Sequence, residues 1–235
     1  MNNILLKENK LNFNVIIDGA GGILAYQIAK FFSDEVKKVI LVGRSIESNY
    51  KRKDILKINN VEYYSDYALI PKSQTIKSVF VHTASSTPNN NTLGDQNIFQ
   101  QNSLIRKNLS EHLLNSEYEL FINTSTMSVY GKIKDKVLFE NHPTLPTNLY
   151  GLSKLLSENE FSKITKYSSL SKILHLRLPG IISKESRGIF IASLIEKIKN
   201  NKPINIFFKS SLFNNATTSI VIARTIKSFI ISKNN

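Results

Sequence analysis

Apolar residues fall along this chain in short near-continuous runs separated by stretches of helical period. Phe13–Asp18 (FNVIID) reads as a buried strand. It runs into glycines and then the helical stretch ILAYQIAKFF. Val36–Gly43 predicts a second strand, NVEYYSD a weaker third and Ile76–Ala84 a fourth. A polar loop, SSTPNNNTLGD, leads to a long helix from about Gln96 to Asn115. YELFINTS and KILHLRLPG predict strands five and six, with the helix PTNLYGLSKLLSENEFSKITKY between them. Continuous apolar strands alternating with helices predict a parallel sheet covered on both faces, a doubly wound α/β fold. After Pro179 the pattern changes to helix (RGIFIASLIEKIKNN), short strand (KPINIFF) and helix (SIVIARTIKSFIIS). This tail predicts a small cap at the carboxyl edge of the sheet. The expected division is 1–179 for the sheet domain and 180–235 for the cap.

Composition narrows the function classes. With 235 residues, 41% of them hydrophobic, the chain can bury a substantial core. It has no cysteine, which excludes disulfides, thiolate metal sites and a cysteine nucleophile. No metal site is expected. The opening MNNILLKENKLNFN lacks the apolar centre of a secretory leader, and no run reaches the ~20 apolar residues of a membrane span. A cytoplasmic protein without a membrane partner is the expectation. The net charge of +13 would suit a polyanion, but the lysines are scattered, and the densest cluster, YKRKDILK, is short and interrupted. No nucleic-acid partner is expected, although the positive field would draw in an anionic cofactor or substrate.

Candidate chemistry begins at the first strand's end, Gly19-Ala20-Gly21-Gly22-Ile23-Leu24-Ala25. Glycines there permit a tight turn and close approach of a pyrophosphate, with the following helix directing its N–H groups at the phosphates. Such a turn alone is equally an ordinary strand–helix connection. Its place as the first βα turn of an alternating chain favours a dinucleotide. The second strand ends in Gly43, Arg44 and Ser45, where an NAD-preferring site usually carries an acid. Arginine suits a 2′-phosphate, so NADP is expected, with NAD the alternative. TSTMSVYG follows strand five, and YGLSK opens the next helix. Tyr150 and Lys154 are i and i+4 and share a helix face. Alone, that pair is common on surface helices. Beside the glycine turn and Thr126 it becomes a candidate proton-transfer device.

With these residues in place the sequence resembles the extended short-chain dehydrogenase/reductase family, the NAD(P)-dependent sugar-nucleotide epimerases, dehydratases and reductases built on the Rossmann fold. The resemblance rests on Gly19-x-x-Gly22-x-x-Ala25, Asp66, HTAS (His82–Ser85), Asn102, STMSVYG (Ser125–Gly131), Tyr150-x-x-x-Lys154 and RLPG (Arg177–Gly180). It implies Tyr150 as acid/base, Lys154 lowering the tyrosine's pKa and binding the nicotinamide ribose, and Thr126 holding the reacting oxygen. It further implies Gly19, Gly22, Ile23 and Leu24 at the pyrophosphate, Asp66 at the adenine, Thr83 and Ala84 along the cofactor, and Pro179 near the nicotinamide. A nucleotide-sugar or other small carbonyl substrate and a homodimer are implied as well. His82 and Asn102 read as packing or hydrogen-bonding residues rather than catalysts.

Departures shape the expectation. Asp18 stands where the family commonly has threonine. Met127 and Ser128 replace the acidic pair of the dehydratases, which speaks against dehydration. Gly180 takes the place of a substrate-touching asparagine, and SIVIA (Ser219–Ala223) that of an acidic pair. A reductase or epimerase is expected. The alternative is a dinucleotide-binding sensor or scaffold with a reduced substrate half.

Overall fold

The computed structural model describes residues 10–44, 50–71, 77–88, 95–133, 135, 137–182, 190–204 and 216–232. Six strands form one parallel sheet: β1 (Leu11–Asp18), β2 (Val36–Val42), β3 (Val61–Tyr64), β4 (Ser78–His82), β5 (Leu120–Thr126) and β6 (Ile173–Leu178). Their order is β3-β2-β1-β4-β5-β6. The chain therefore reverses direction across the sheet between β1 and β4, the place where doubly wound folds open a crevice for ligands.

Side-chain alternation assigns each face of the sheet to its helices. Val15, Ile17, Val39, Leu41, Val79, Val81, Leu120 and Ile122 face one way. They pack with Ile28, Ala29 and Phe32 of α1 (Ile23–Ser33) and with Ile222, Ala223, Ile226 and Ile230 of α5 (Ser219–Ser232). Ile16, Ile40, Phe80 and Phe121 face the other way. They meet Leu109 and Leu113 of α2 (Gln96–Leu114) and Phe161 and Ile164 of α3 (Leu149–Ile164). Phe80, Phe121 and Phe161 are fully buried, each contributing about 1.5–3 kcal/mol. A parallel sheet buried on both faces explains why its strands lack polar alternation.

Two predicted boundaries shift for local reasons. The fourth strand, expected to reach Ala84, ends at His82, because the N–H groups of Thr83 and Ala84 turn to the Asp18 carboxylate. The helix expected from Pro146 begins at Leu149, where Asn148 accepts the Gly151 N–H and caps it.

The region after Pro179 divides. β7 (Gly180–Ile182) pairs in parallel with β8 (Ala216–Thr218), apart from the main sheet, and α4 spans Phe190–Lys199. The last helix, expected within the cap, lies in the main core instead. α5 packs on α1, and Lys227 pairs with Glu35 at 2.5 Å. Its apolar stripe matches the exposed flank of α1, which the sequence pattern alone did not connect to it. Of the predicted strand KPINIFF, residues 202–204 are not strand and 205–208 lie outside the described residues.

Candidate active site

Apart from Tyr150 and Lys154, which lie on α3, the candidate residues lie at the carboxyl end of a strand or just past it. Gly19–Leu24 follow β1, Arg44 follows β2 and Asp66 follows β3. Thr83 and Ala84 follow β4, Thr126 ends β5, and Pro179 follows β6. The crevice between β1 and β4 lies in the middle of this row.

Gly19 has φ +73°, and a Cβ there would stand 2.9 Å from the backbone of Ala84 and from Thr83 Oγ1. Only glycine allows β1 to turn this close to the end of β4. The Gly22 N–H closes the turn on Gly19 O at 2.7 Å. Gly22 then caps α1 without any side-chain hydrogen bond, and the first turn of α1 carries no acid. A helix start with no side-chain cap and no competing carboxylate fits a pyrophosphate. The residues present therefore fit a dinucleotide. Arg44 is exposed in the turn beyond Gly43. Asp66 is exposed too, with Oδ1 accepting the Ala68 N–H at 2.9 Å to cap the turn Tyr67–Leu69.

The acid/base group is assembled by close packing of α3 on the 3₁₀ turn Met127–Tyr130. Thr126 caps that turn, its Oγ1 accepting the Ser128 N–H at 3.2 Å. Gly151 sits against the Ser128 carbonyl. This contact seats the start of α3, and with it Tyr150, on the end of β5. The Tyr150 phenol interacts with the hydroxyls of Ser85 and Thr126, both of which favour its ionised form. Burial acts more strongly in the opposite direction, and the phenol stands above its ordinary pKa. The lowering expected from Lys154 is thus not present in the protein alone.

Lys154 is desolvated as well. Its side chain is buried deep in α3, and desolvation depresses its pKa to about 8 against the opposing fields of Asp18 and Glu158. Glu158 itself is engaged by Arg177, whose guanidinium donates to it at 2.8 Å and also to the Tyr130 hydroxyl at 2.8 Å. RLPG therefore supplies a structural clamp joining β6, α3 and the turn after β5. Asn102 plays a comparable part, holding Ser86 through both its N–H and its carbonyl and reaching Ser153 on α3.

Sequence reasoning passed over Ser85, although it stands at the end of the HTAS motif. It also treated Asp18 only as a departure. In the structure Asp18 is buried, with its carboxylate bonded to His82, Tyr67 and the N–H groups of Thr83 and Ala84. Desolvation alone would raise its pKa. The charge and hydrogen bond of His82 and the two N–H groups outweigh it, and the carboxyl is held below its usual range.

The glycine turn at β1, the hydroxyl pair around Tyr150 and the buried lysine one turn on agree with the family comparison. The model of the NAD dependent epimerase/dehydratase family matches residues 15–212. The chain belongs to this family. It is an enzyme of the extended short-chain dehydrogenase/reductase type. Solved family structures share the fold. The UDP-glucuronic acid 4-epimerase of Bacillus cereus, solved with UDP-glucuronic acid and NAD, superposes with a TM-score of 0.77 at 21% identity. The match covers 92% of this chain and 73% of that one. The UDP-N-acetylglucosamine 4-epimerase of Methanobrevibacter ruminantium M1 gives 0.75 at 18% identity over 90% and 70%. The UDP-glucose 4-epimerase of Thermotoga maritima gives 0.72 at 17% over 90% and 71%.

Proposed function

We propose that this epimerase/dehydratase-family enzyme acts at a hydroxyl or keto carbon of a nucleotide-linked sugar, with Tyr150 as acid and base. The observation that carries this reading is the Tyr150 phenol set against the Thr126 and Ser85 hydroxyls, one helical turn before buried Lys154. A bound dinucleotide supplies or accepts the hydride at its nicotinamide ring. The chain's own residues handle the proton and the charge. Thr126 Oγ1 orients the reacting oxygen, and Tyr150 takes its proton or returns it. Both residues are half-buried. The Ser85 and Thr126 hydroxyls favour the phenolate through hydrogen bonds, and a cationic nicotinamide bound there would favour it further.

The 4-epimerase relatives, solved with UDP-sugars, favour epimerase over reductase and UDP over other nucleotides. Arg44, exposed beyond β2, supports a 2′-phosphate and so NADP(H), whereas the Bacillus cereus relative was solved with NAD. Titrating NAD⁺ and NADP⁺ into wild type and Arg44→Ala separates the two. A homodimer through α2 and α3, where Leu104, Leu152 and Leu156 are exposed, belongs to the same reading, as does a cytoplasmic site of action. Light scattering tests the dimer.

The deciding experiment assays a panel of UDP-sugars, with and without added dinucleotide, on wild type and Tyr150→Phe. Loss of about 10²–10⁴-fold in rate with cofactor binding retained is expected. Unchanged activity in the variant would overturn the role of Tyr150.

A further inference from the structure

Two buried oxygens on the sheet beneath α3, Asn123 Oδ1 and Ser125 Oγ of β5, have no hydrogen-bond partner among the described residues. Their residues are 0% and 5% exposed. Alternation along β5 puts both on the face that carries Phe121, the one covered by α2 and α3. Buried polar atoms without a partner are rare in folded proteins, and two of them on one strand mark a place where a polar group belongs. The nearby donors are committed elsewhere. Ser153 and Ser157 of α3 donate to the carbonyls of Tyr150 and Ser153. The Arg177 guanidinium serves Glu158, the Tyr130 hydroxyl and the Glu140 carbonyl.

Helix geometry brings Lys154 to this place. α3 runs antiparallel to β5. Its start, at Gly151, sits against the Ser128 carbonyl just past the strand's end, and Phe161 meets Phe121 further down with ring centroids 5.1 Å apart. Lys154 precedes Phe161 by two turns, on the same side of the helix and about 10 Å nearer its start. Ser125 lies beyond Phe121 by about 13 Å along the strand. The buried lysine therefore lies over the Asn123–Ser125 segment. Its charge interacts with Asp18 of β1, with Glu158, and with His175 of β6, the residue paired with Asn123 on the next strand. His175 fixes which end of the Asn123 amide is left over. Desolvation lowers the pKa of this imidazole and keeps it neutral. Its Nδ1 accepts from Asn123 Nδ2 at 3.0 Å, while Nε2 meets Ser162 Oγ at 2.9 Å. The end of the amide left for the α3 side is its oxygen.

We propose that Asn123 and Ser125 position Lys154 through one buried water. The water donates its two hydrogens to Asn123 Oδ1 and Ser125 Oγ and accepts one N–H of the ammonium. Both oxygens are then satisfied, and the water has the three polar partners typical of an internal site. A water rather than a direct contact is required, because neither oxygen is hydrogen-bonded to the lysine as it stands. The bridge favours the charged form of Lys154 against its burial and leaves the other two N–H groups for the crevice. Asn123 and Ser125 act through the lysine and do not touch substrate. The inference rests on the reading of Lys154 as the partner of Tyr150.

The test is a double-mutant cycle on the full chain without cofactor, read by thermal melting. Ser125→Ala is expected to melt about 2–4 °C below wild type, the shift for one lost bond in a domain of this size. In the Lys154→Met background the same change should cost little. Equal losses in both backgrounds would make Ser125 merely structural and overturn the proposal. A pH series gives a second readout. The melting gain of Lys154→Met over its parent shrinks once the folded parent's lysine loses its proton, and with Ser125→Ala as parent this should begin at lower pH. An unchanged onset overturns the proposal. The other groups facing the ammonium leave that readout clear. Asp18 pairs with His82 of β4 and Glu158 with Arg177 of β6, while His175 is held below and Tyr150 above its usual range. Should Ser125→Ala fail to fold, a high-resolution crystal structure of the wild type decides. Density for a water bonded to Asn123 Oδ1, Ser125 Oγ and Lys154 Nζ supports the proposal, and its absence overturns it. The catalytic reading fails separately, if Tyr150→Phe keeps its full rate.

Discussion

Asn102 on α2 donates to Ser153 Oγ on α3 across 3.1 Å, and its other bonds hold both backbone groups of Ser86. One buried amide thus ties the segment after β4 to the helix that carries Tyr150 and Lys154. Asn102→Ala removes the partner of the Ser86 N–H and one of the two donors to the Ser86 carbonyl, and leaves Ser153 Oγ without its amide. A loss of about 1–3 kcal/mol in unfolding free energy is expected, read by urea denaturation. Ser85 moves with Ser86, so the rate should fall further than cofactor affinity.

Gly151 makes a separate prediction about Tyr150. A Cβ at this position would lie 2.6 Å from the Ser128 carbonyl oxygen and 3.1 Å from Pro146 Cβ. Backbone cannot swing aside as a flexible side chain can. Gly151→Val must lift the start of α3 away from the turn after β5, carrying the phenol from Thr126. A displacement of about 1 Å at a reacting group can cost about 10²-fold in rate. The expected result is that loss in kcat, with NAD⁺ affinity nearly unchanged because the glycine turn lies on β1.

Arg177 and Glu158 predict a stability effect. Glu158 is 4% exposed and takes its main hydrogen bonds from the Arg177 guanidinium. Arg177→Met keeps the apolar stem but leaves a buried carboxylate without its clamp. Breaking such a pair costs about 3–5 kcal/mol, and the partial exposure of Arg177 points to the lower end. Pairing that change with Glu158→Gln should recover much of the loss, which a double-mutant cycle by denaturant unfolding would show.

The parts of this architecture visible in the sequence were those set by local rules. Strand runs such as VKKVILV and the start of α2 near Gln96 follow from hydrophobic period, and the glycine turn from steric need. The candidate residues then fall along one sheet edge because a parallel sheet places all its strand ends together. Two things were not legible. The apolar stripe of α5 carries no mark of its partner, so nothing in SIVIARTIKSFIIS told that Ile222 and Ile226 would cover α1 rather than a cap. The Asp18 network depends on register as well. The pairing of β1 with β4 brings Asp18 level with His82, although 64 positions separate them. The expected lowering of the Tyr150 pKa involved Lys154 together with a cationic nicotinamide; in the protein alone burial of the phenol outweighs the hydrogen bonds of Ser85 and Thr126.

Lys154 itself makes the last prediction, one of sign. Its folded pKa of about 8 lies below the ordinary lysine value of 10.5, because burial disfavours the ammonium. At neutral pH the folded protein therefore carries a charge that would be better solvated in the unfolded chain. The unfolded state binds the proton more tightly between the two values. Stability should accordingly rise with pH across that window, insofar as this group controls it. Replacing the ammonium with a thioether of similar length, Lys154→Met, removes the cost. Asp18 keeps His82 and Glu158 keeps Arg177, so neither carboxylate is stranded. The variant without cofactor should melt higher than wild type near neutral pH. That gain should shrink as pH approaches 10, where the wild-type lysine is already neutral when folded. Turnover should be lost at every pH, which would mark Lys154 as a residue kept for function at a cost in stability. A melting temperature lower than wild type at neutral pH would show instead that the fields of Asp18 and Glu158 outweigh desolvation.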